Sequence, residues 1–121
     1  MSGHTIVIVD DEPELLSLFQ DILETEGYHV VAVGHPGVIA TAIGGLQPAL
    51  FLIDIMLTGI NGIAVAEQLC TGEYDEVPMV AISASGDMVQ RAAGSGWFTD
   101  TLEKPFELDD LLRCIAQHVA A

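Results

Sequence analysis

The sequence predicts one α/β domain, a doubly wound sandwich around a five-stranded parallel sheet, and three features of the chain carry that reading. Short apolar runs rich in Val, Ile and Leu alternate with stretches of helical period, as repeated βα units require. Three of the runs are almost unbroken in apolar residues, which suits strands covered on both faces. Four of them stop at polar side chains: Asp10 and Asp11, Asp54, Ser83, and Lys104.

The first strand is Thr5–Val9, ended by Asp10, Asp11 and Glu12. Leu15, Leu18, Phe19, Ile22 and Leu23 then recur on one helical face, giving an amphipathic helix that Gly27 closes. The second strand spans Tyr28–Val33 and leads into a short helical stretch over Gly37–Ile43. Ala49–Ile53 forms the third strand and ends at Asp54 in "LFLIDIM". Gly59 and Asn61-Gly62 are turn signals after it, and Gly62–Cys70 has helical character. Met79–Ile82 is the fourth strand, ended by Ser83 in "VAISAS"; the helix expected over Asp87–Ala93 is weakened by Gly86, Gly94 and Gly96 around it. The fifth strand covers Phe98–Glu103 up to Lys104 in "LEKPF". Leu108, Leu111, Leu112, Ile115 and Val119 repeat the helical pattern at the C-terminus.

At 121 residues the chain has the size of one ordinary domain, and residues 1–121 read as one unit without linker or repeat. No apolar run reaches the ~18 residues a membrane span needs. Met1-Ser2-Gly3-His4 lacks the basic start and apolar stretch of a secretory signal, so the expectation is a cytoplasmic protein without membrane contact. Eighteen acids against three bases give a formal charge of −15, which repels phosphate backbones and argues against direct nucleic-acid binding. Cys70 and Cys114 lie in helical patterns without Cys-x-x-Cys spacing and read as reduced, buried small side chains rather than a bridge or metal site. His4, His29, His35 and His118 are scattered, and read as surface or half-buried side chains.

Ligands of a doubly wound sheet bind beyond the carboxyl ends of its strands, where the strand order reverses. Taken singly, each polar residue there has an ordinary explanation. Acids before a helix complement its dipole, an Asp after a strand is turn chemistry, and Lys-Pro after a strand is a loop. Together, four strands deliver Asp10, Asp11, Asp54, the Ser83 hydroxyl and the only lysine of the chain to one edge. Clustered carboxylates are costly until a cation neutralises them, and hard oxygen ligands suit magnesium.

In this order and at these spacings, "VDDE" at Val9–Glu12, Asp54 with Gly62 eight positions on, Ser83-Ala84, and "KPF" at Lys104–Phe106 resemble the receiver domain of bacterial two-component response regulators. The resemblance covers the whole chain and implies a flavodoxin-like (βα)5 sandwich with strand order 2-1-3-4-5. It implies a Mg²⁺ ion ligated directly by Asp11 and Asp54, through water by Asp10, and by the backbone carbonyl of Met56. Glu12 is read as a helix-start acid. Asp54 would be the nucleophile, accepting a phosphoryl group from a histidine kinase, a histidine phosphotransfer protein or acetyl phosphate. Mg²⁺ and Lys104 would neutralise the transferring group, and Ser83 would move to bond a phosphoryl oxygen. The resemblance also implies a cis Lys104–Pro105 bond and a domain that catalyses its own modification without being a turnover enzyme. Its output would pass to a downstream protein target through the fourth and fifth helices and the fifth strand, with a phosphorylation-dependent dimer as one form. The chain departs from the family at Thr101, where a strand-five aromatic is usual, and at Leu57 and Thr58, which commonly are Met and Pro.

Two other classes compete with this reading. A non-phosphorylated binding or dimerisation module could keep the fold, but the complete Asp10, Asp11, Asp54, Ser83 and Lys104 set argues against it. A haloacid-dehalogenase-type phosphatase expects Asp-x-Asp after the first strand, whereas Asp10-Asp11-Glu12 stands there. With nothing after Ala121 to form an effector, the chain reads as a stand-alone receiver.

Overall fold

The computed structural model describes residues 3–57 and 59–119. Its strands are β1 (Thr5–Val9), β2 (His29–Val33), β3 (Pro48–Asp54), β4 (Met79–Ser83) and β5 (Asp100–Glu103), joined in one parallel sheet in the order β2-β1-β3-β4-β5. The expected doubly wound topology is therefore present. The apolar runs explain the placement: β1 and β4 are buried throughout and β3 nearly so, and they occupy the centre of the sheet. At the two edges lie β2 and β5, each covered by a strand on one side only and partly exposed.

Side chains alternate across each strand, so one sequence run feeds two cores. Ile6, Ile8, Leu50, Leu52, Val80 and Ile82 face the helices α1 (Pro13–Thr25) and α5 (Leu108–His118), meeting Phe19, Leu23, Leu111 and Ile115. Val7, Val9, Phe51 and Ile53 face the other side, against Ile39 and Ile43 of α2 (Ile39–Ile43) and Val65 and Ala66 of α3 (Gly62–Cys70). The helix α4 (Gly86–Ser95) contributes one fully buried residue, Ala92, packed with Ile55 and Ala81.

Several expectations shift in detail. The Gly37–Ile43 stretch divides into a 3₁₀ turn, Pro36–Val38, and the short α2. A two-residue antiparallel pair, Met56–Leu57 with Ile60–Asn61, was not foreseen from sequence. The fifth strand begins at Asp100 rather than Phe98, because Trp97 and Phe98 turn into the apolar clusters beneath α3 and α4. Leu18 and Leu108, assigned to buried helical stripes, are 53% and 45% exposed; Leu18 is at one side of its stripe and Leu108 is the first residue of α5. Cys114 is buried but Cys70 only half-buried, and both thiols are free. Thr58 and the ends of the 1–121 unit, Met1, Ser2, Ala120 and Ala121, lie outside the described residues. No described helix is long and apolar enough to cross a membrane.

Candidate functional site

Sheet register assembles the polar edge. Val9 pairs with Ile53, so the residues that follow, Asp10 and Asp54, emerge side by side. Asp54 pairs with Ile82, and Ser83 with Glu103, whose successor Lys104 donates its backbone N–H to the Ser83 carbonyl at 2.8 Å. The central strands that carry Asp10, Asp54 and Ser83 are buried, and these three polar residues are buried with them, at 1%, 5% and 0% exposure.

Asp10 and Asp54 are held in the same way. One oxygen of each accepts a hydrogen bond from the backbone N–H two residues on: Glu12 to Asp10 Oδ1 at 2.9 Å, Met56 to Asp54 Oδ1 at 3.0 Å. The other oxygen of each lies 3.7 Å from the Lys104 ammonium. Lys104 also stands 3.6 Å from Glu12 Oε1, so one ammonium faces three carboxylates. All three distances are too long for direct hydrogen bonds, and the Glu12 side chain is 63% exposed, which leaves that pair weak. The Lys104–Pro105 bond is cis, as the resemblance implied.

This edge is electrostatically under-compensated. Burial pushes the Asp10 carboxyl above its ordinary range and the neighbouring charges of Asp54 and Glu12 push the same way, against the Glu12 N–H bond and Lys104. The oxygens of Asp10, Glu12 and Asp54 lie within 4.8 Å of one another, a hard-oxygen donor set of the kind magnesium takes. Glu12, read from sequence as a helix-start acid, occupies the N-cap position of α1 and also joins this set. Asp11 is half-buried in the bend between β1 and α1, beside Glu12, and is outside that close group.

Ser83 supplies a buried hydroxyl whose oxygen accepts the Ser85 N–H at 3.1 Å. Ser85 in turn caps α4 by accepting from Met88 N–H at 3.3 Å, so a shift of Ser83 would reach the start of that helix. On the other flank, Gly62 donates its N–H to the Ile55 carbonyl at 2.8 Å. A Cβ at Gly62 would collide with the Asp54 carbonyl oxygen and stand 2.7 Å from Ile55 Cα. The start of α3 can therefore lie against the Asp54 backbone only because residue 62 is glycine. Thr101 is half-buried on β5, paired with Ala81, while Phe98 is packed with Ile55, Ala81 and Ala92; no ring occupies position 101.

A second group was missed from sequence. Asp100 on β5 meets Cys114 and His118 on α5, with His118 Nε2 3.0 Å and Cys114 Sγ 3.7 Å from Asp100 Oδ2. The four histidines share no spacing with one another that points to this group. A Cys-x-x-x-His spacing on one amphipathic helix was the available signal.

Residues 6–116 match the family model described as response regulator receiver domain. The DNA-binding response regulator MtrA of Mycolicibacterium smegmatis is 34% identical over 108 residues, covering 88% of this chain and 46% of the relative. This chain thus spans about half the length of that curated relative. Among solved structures, the BeF3-activated N-terminal receiver domain of Klebsiella pneumoniae RstA superposes with a TM-score of 0.85 at 25% identity, covering 98% of this chain and all of that one. The receiver domain of NtrX from Brucella abortus gives a TM-score of 0.84 at 30% identity, over 94% of this chain and 97% of that one.

Proposed function

This chain belongs to the response regulator receiver domain family, and on that premise we propose that it accepts a phosphoryl group on Asp54 in a Mg²⁺-dependent reaction and signals through protein contacts. The observation that carries the proposal is the single Lys104 ammonium facing Asp10, Glu12 and Asp54 at 3.6–3.7 Å at the buried end of the sheet. Asp54 Oδ1 is engaged by the Met56 N–H, which leaves Oδ2, the oxygen toward Lys104, to attack phosphorus. The P–N bond of a phosphohistidine, or the P–O bond of acetyl phosphate, breaks as the P–Oδ2 bond forms, and the leaving group carries off the electron pair. Lys104 neutralises an oxygen of the transferring group. Asp10, Asp11, Asp54 and the Met56 carbonyl would hold the magnesium ion, which when bound offsets charge on the phosphoryl oxygens. Glu12 lies close enough to contribute through water. Ser83, the buried hydroxyl that follows Asp54's strand partner Ile82, would follow the new oxygens.

The phosphoryl donor is proposed to be a histidine kinase or a histidine phosphotransfer protein. Leu15, half-exposed Leu18, Pro105 and Phe106 form an apolar strip beside Lys104, on which a donor helix could seat. The similar Klebsiella domain is described as BeF3-activated, which supports acceptance of a phosphoryl mimic here. With a charge of −15, the 121 residues are assigned no direct nucleic-acid contact; their output goes to a protein target or to a second copy of the domain. Incubation with radiolabelled acetyl phosphate and Mg²⁺ tests the reading. Wild type takes up acid-stable, base-labile label that chelator prevents, and Asp54→Asn takes up none. Label persisting in Asp54→Asn would overturn the site, and no label in wild type from acetyl phosphate or a kinase panel would favour the non-phosphorylated binding module.

A further inference from the structure

At the far end of β5 from Lys104, ~13 Å along the strand at the usual rise per residue, Asp100, Cys114 and His118 bring three different metal-ligating groups together. Cys114 and His118 stand four residues apart on α5, which puts both on one helix face, and that face packs against the first residue of β5. Cys114 is buried, the His118 side chain is 15% exposed and the Asp100 side chain 41% exposed, so the group opens to water on one side only.

We propose that Asp100, Cys114 and His118 form a zinc site that clasps the C-terminal turn of α5 to β5. The three potential ligand atoms lie within 4.8 Å of one another. Bonds of ~2.0–2.3 Å in a tetrahedron set ligand atoms ~3.3–3.7 Å apart. Cys114 Sγ and Asp100 Oδ2 are already at 3.7 Å, and His118 Nε2 and Asp100 Oδ2, at 3.0 Å, need only open by a few tenths of an ångström. Water from the open side completes the fourth position. A thiolate with an imidazole selects zinc over magnesium, whereas the oxygen-only group around Asp54 offers the hard ligands that suit magnesium. The ligands also balance the ion: one thiolate and one carboxylate against two positive charges.

Without metal the thiol keeps its proton, since burial and then the Asp100 charge push Cys114 up to about 12. Zinc binding exchanges that proton: the S–H bond breaks, the sulfur electron pair goes to zinc, and the proton leaves to solvent. The site goes beyond the phosphoryl chemistry and does not depend on it.

Titration of the 121-residue chain with Co²⁺, in buffer containing excess Mg²⁺ to occupy the acidic edge, tests the proposal. Wild type is expected to bind one equivalent with a near-ultraviolet thiolate-to-cobalt charge-transfer band, which Zn²⁺ then displaces. The band is expected to vanish in Cys114→Ser and to persist in Cys70→Ser and in Asp54→Asn, which separates this site from the phosphoacceptor. In His118→Gln, whose half-buried residue is in the last helical turn, affinity is expected to fall at least about tenfold. Should Cys114→Ser fail to fold, Cys70→Ser and His118→Gln decide the question. Cobalt bound without the band, a band that follows Cys70, or unchanged affinity in His118→Gln would each overturn the site.

Discussion

Asp10 and Asp100 sit at opposite ends of one sheet, and their surroundings push their carboxyl groups in opposite directions. Asp10 is buried beside Asp54 and Glu12 and is held above its ordinary range by burial first and by those charges after it. Asp100 also feels burial pushing it up, but the His118 hydrogen bond, the Thr101 N–H, the His118 charge and the Cys114 thiol outweigh that and hold it below. The first carboxylate is short of positive charge and depends on what binds from outside. The second finds partners within its own chain. Burial differs in the same way: Asp10, Asp54 and Ser83 lie at the ends of the buried central strands, whereas Asp100 begins the half-exposed edge strand β5, and α4 beside it buries only Ala92.

The glycines of the two regions should break the comparison most sharply. Gly62→Ala forces a methyl group into the backbone beneath Asp54 and is expected to cost about 1–3 kcal/mol and to impair phosphoryl acceptance. Gly94→Ala, inside α4 with nothing within 4 Å of the added Cβ, is expected to raise stability by roughly 0.5–1 kcal/mol. Denaturant unfolding measures both, and equal costs at the two positions would mean that the edge is no tighter than the helix.

Cation dependence comes next in size. Millimolar Mg²⁺ is expected to raise the melting temperature of wild type by several degrees, an effect of about 1–3 kcal/mol from preferential binding to the folded state. Asp11→Ala is expected to lose that response. An undiminished shift in this variant would place the ion without Asp11, on the Asp10, Glu12 and Asp54 group alone.

The pH dependence in chelator sharpens the contrast by its sign. Because the Asp10 carboxyl is raised, the folded state binds its proton more tightly than the unfolded chain does. Its effect is most favourable below the ordinary carboxyl range and declines as pH rises through the raised value. Because the Asp100 carboxyl is lowered, its contribution is present above the ordinary range and is lost as pH falls through the lowered value. Asp10→Asn, which keeps an oxygen for the Glu12 N–H, is therefore expected to stabilise the metal-free protein near neutrality by about 1 kcal/mol. Asp100→Asn is expected to destabilise it there. Melting curves from acid to neutral pH check both, and changes of the same sign would abolish the distinction.

The smallest expected effect is in the switch. Thr101 cannot sweep the volume of an aromatic ring, so beryllofluoride binding is expected to alter hydrogen exchange chiefly over Ser83–Gly96, through Ser83, the Ser85 cap and the start of α4. Protection changes concentrated on Thr101 and α5, with Ser83–Gly96 silent, would show that the signal takes the strand-five route after all.

Much of this protein was written locally. Nearly unbroken apolar residues in "IVIV", "LFLI" and "MVAI" forced central parallel strands, because such runs are stable only when both faces are covered. The parallel topology then put the residues after them, Asp10, Asp54 and Ser83, at one edge with Lys104. The periodicity of α1 and α5 was legible in the same way, although it did not reveal that Leu18 and Leu108 stay exposed. Distance and direction were left to tertiary structure. Only the fold brought Glu12 as near to Lys104 as Asp10 and Asp54 are, since the turn from β1 into α1 sets where that side chain points. Only the fold joined Asp100 to His118 eighteen residues later, because a strand and the helix that covers it meet through the sheet's twist and packing, not through any period along the chain. Short-range order is set by residue type and spacing; the meeting of distant polar groups is set by the packing of the apolar ones between them.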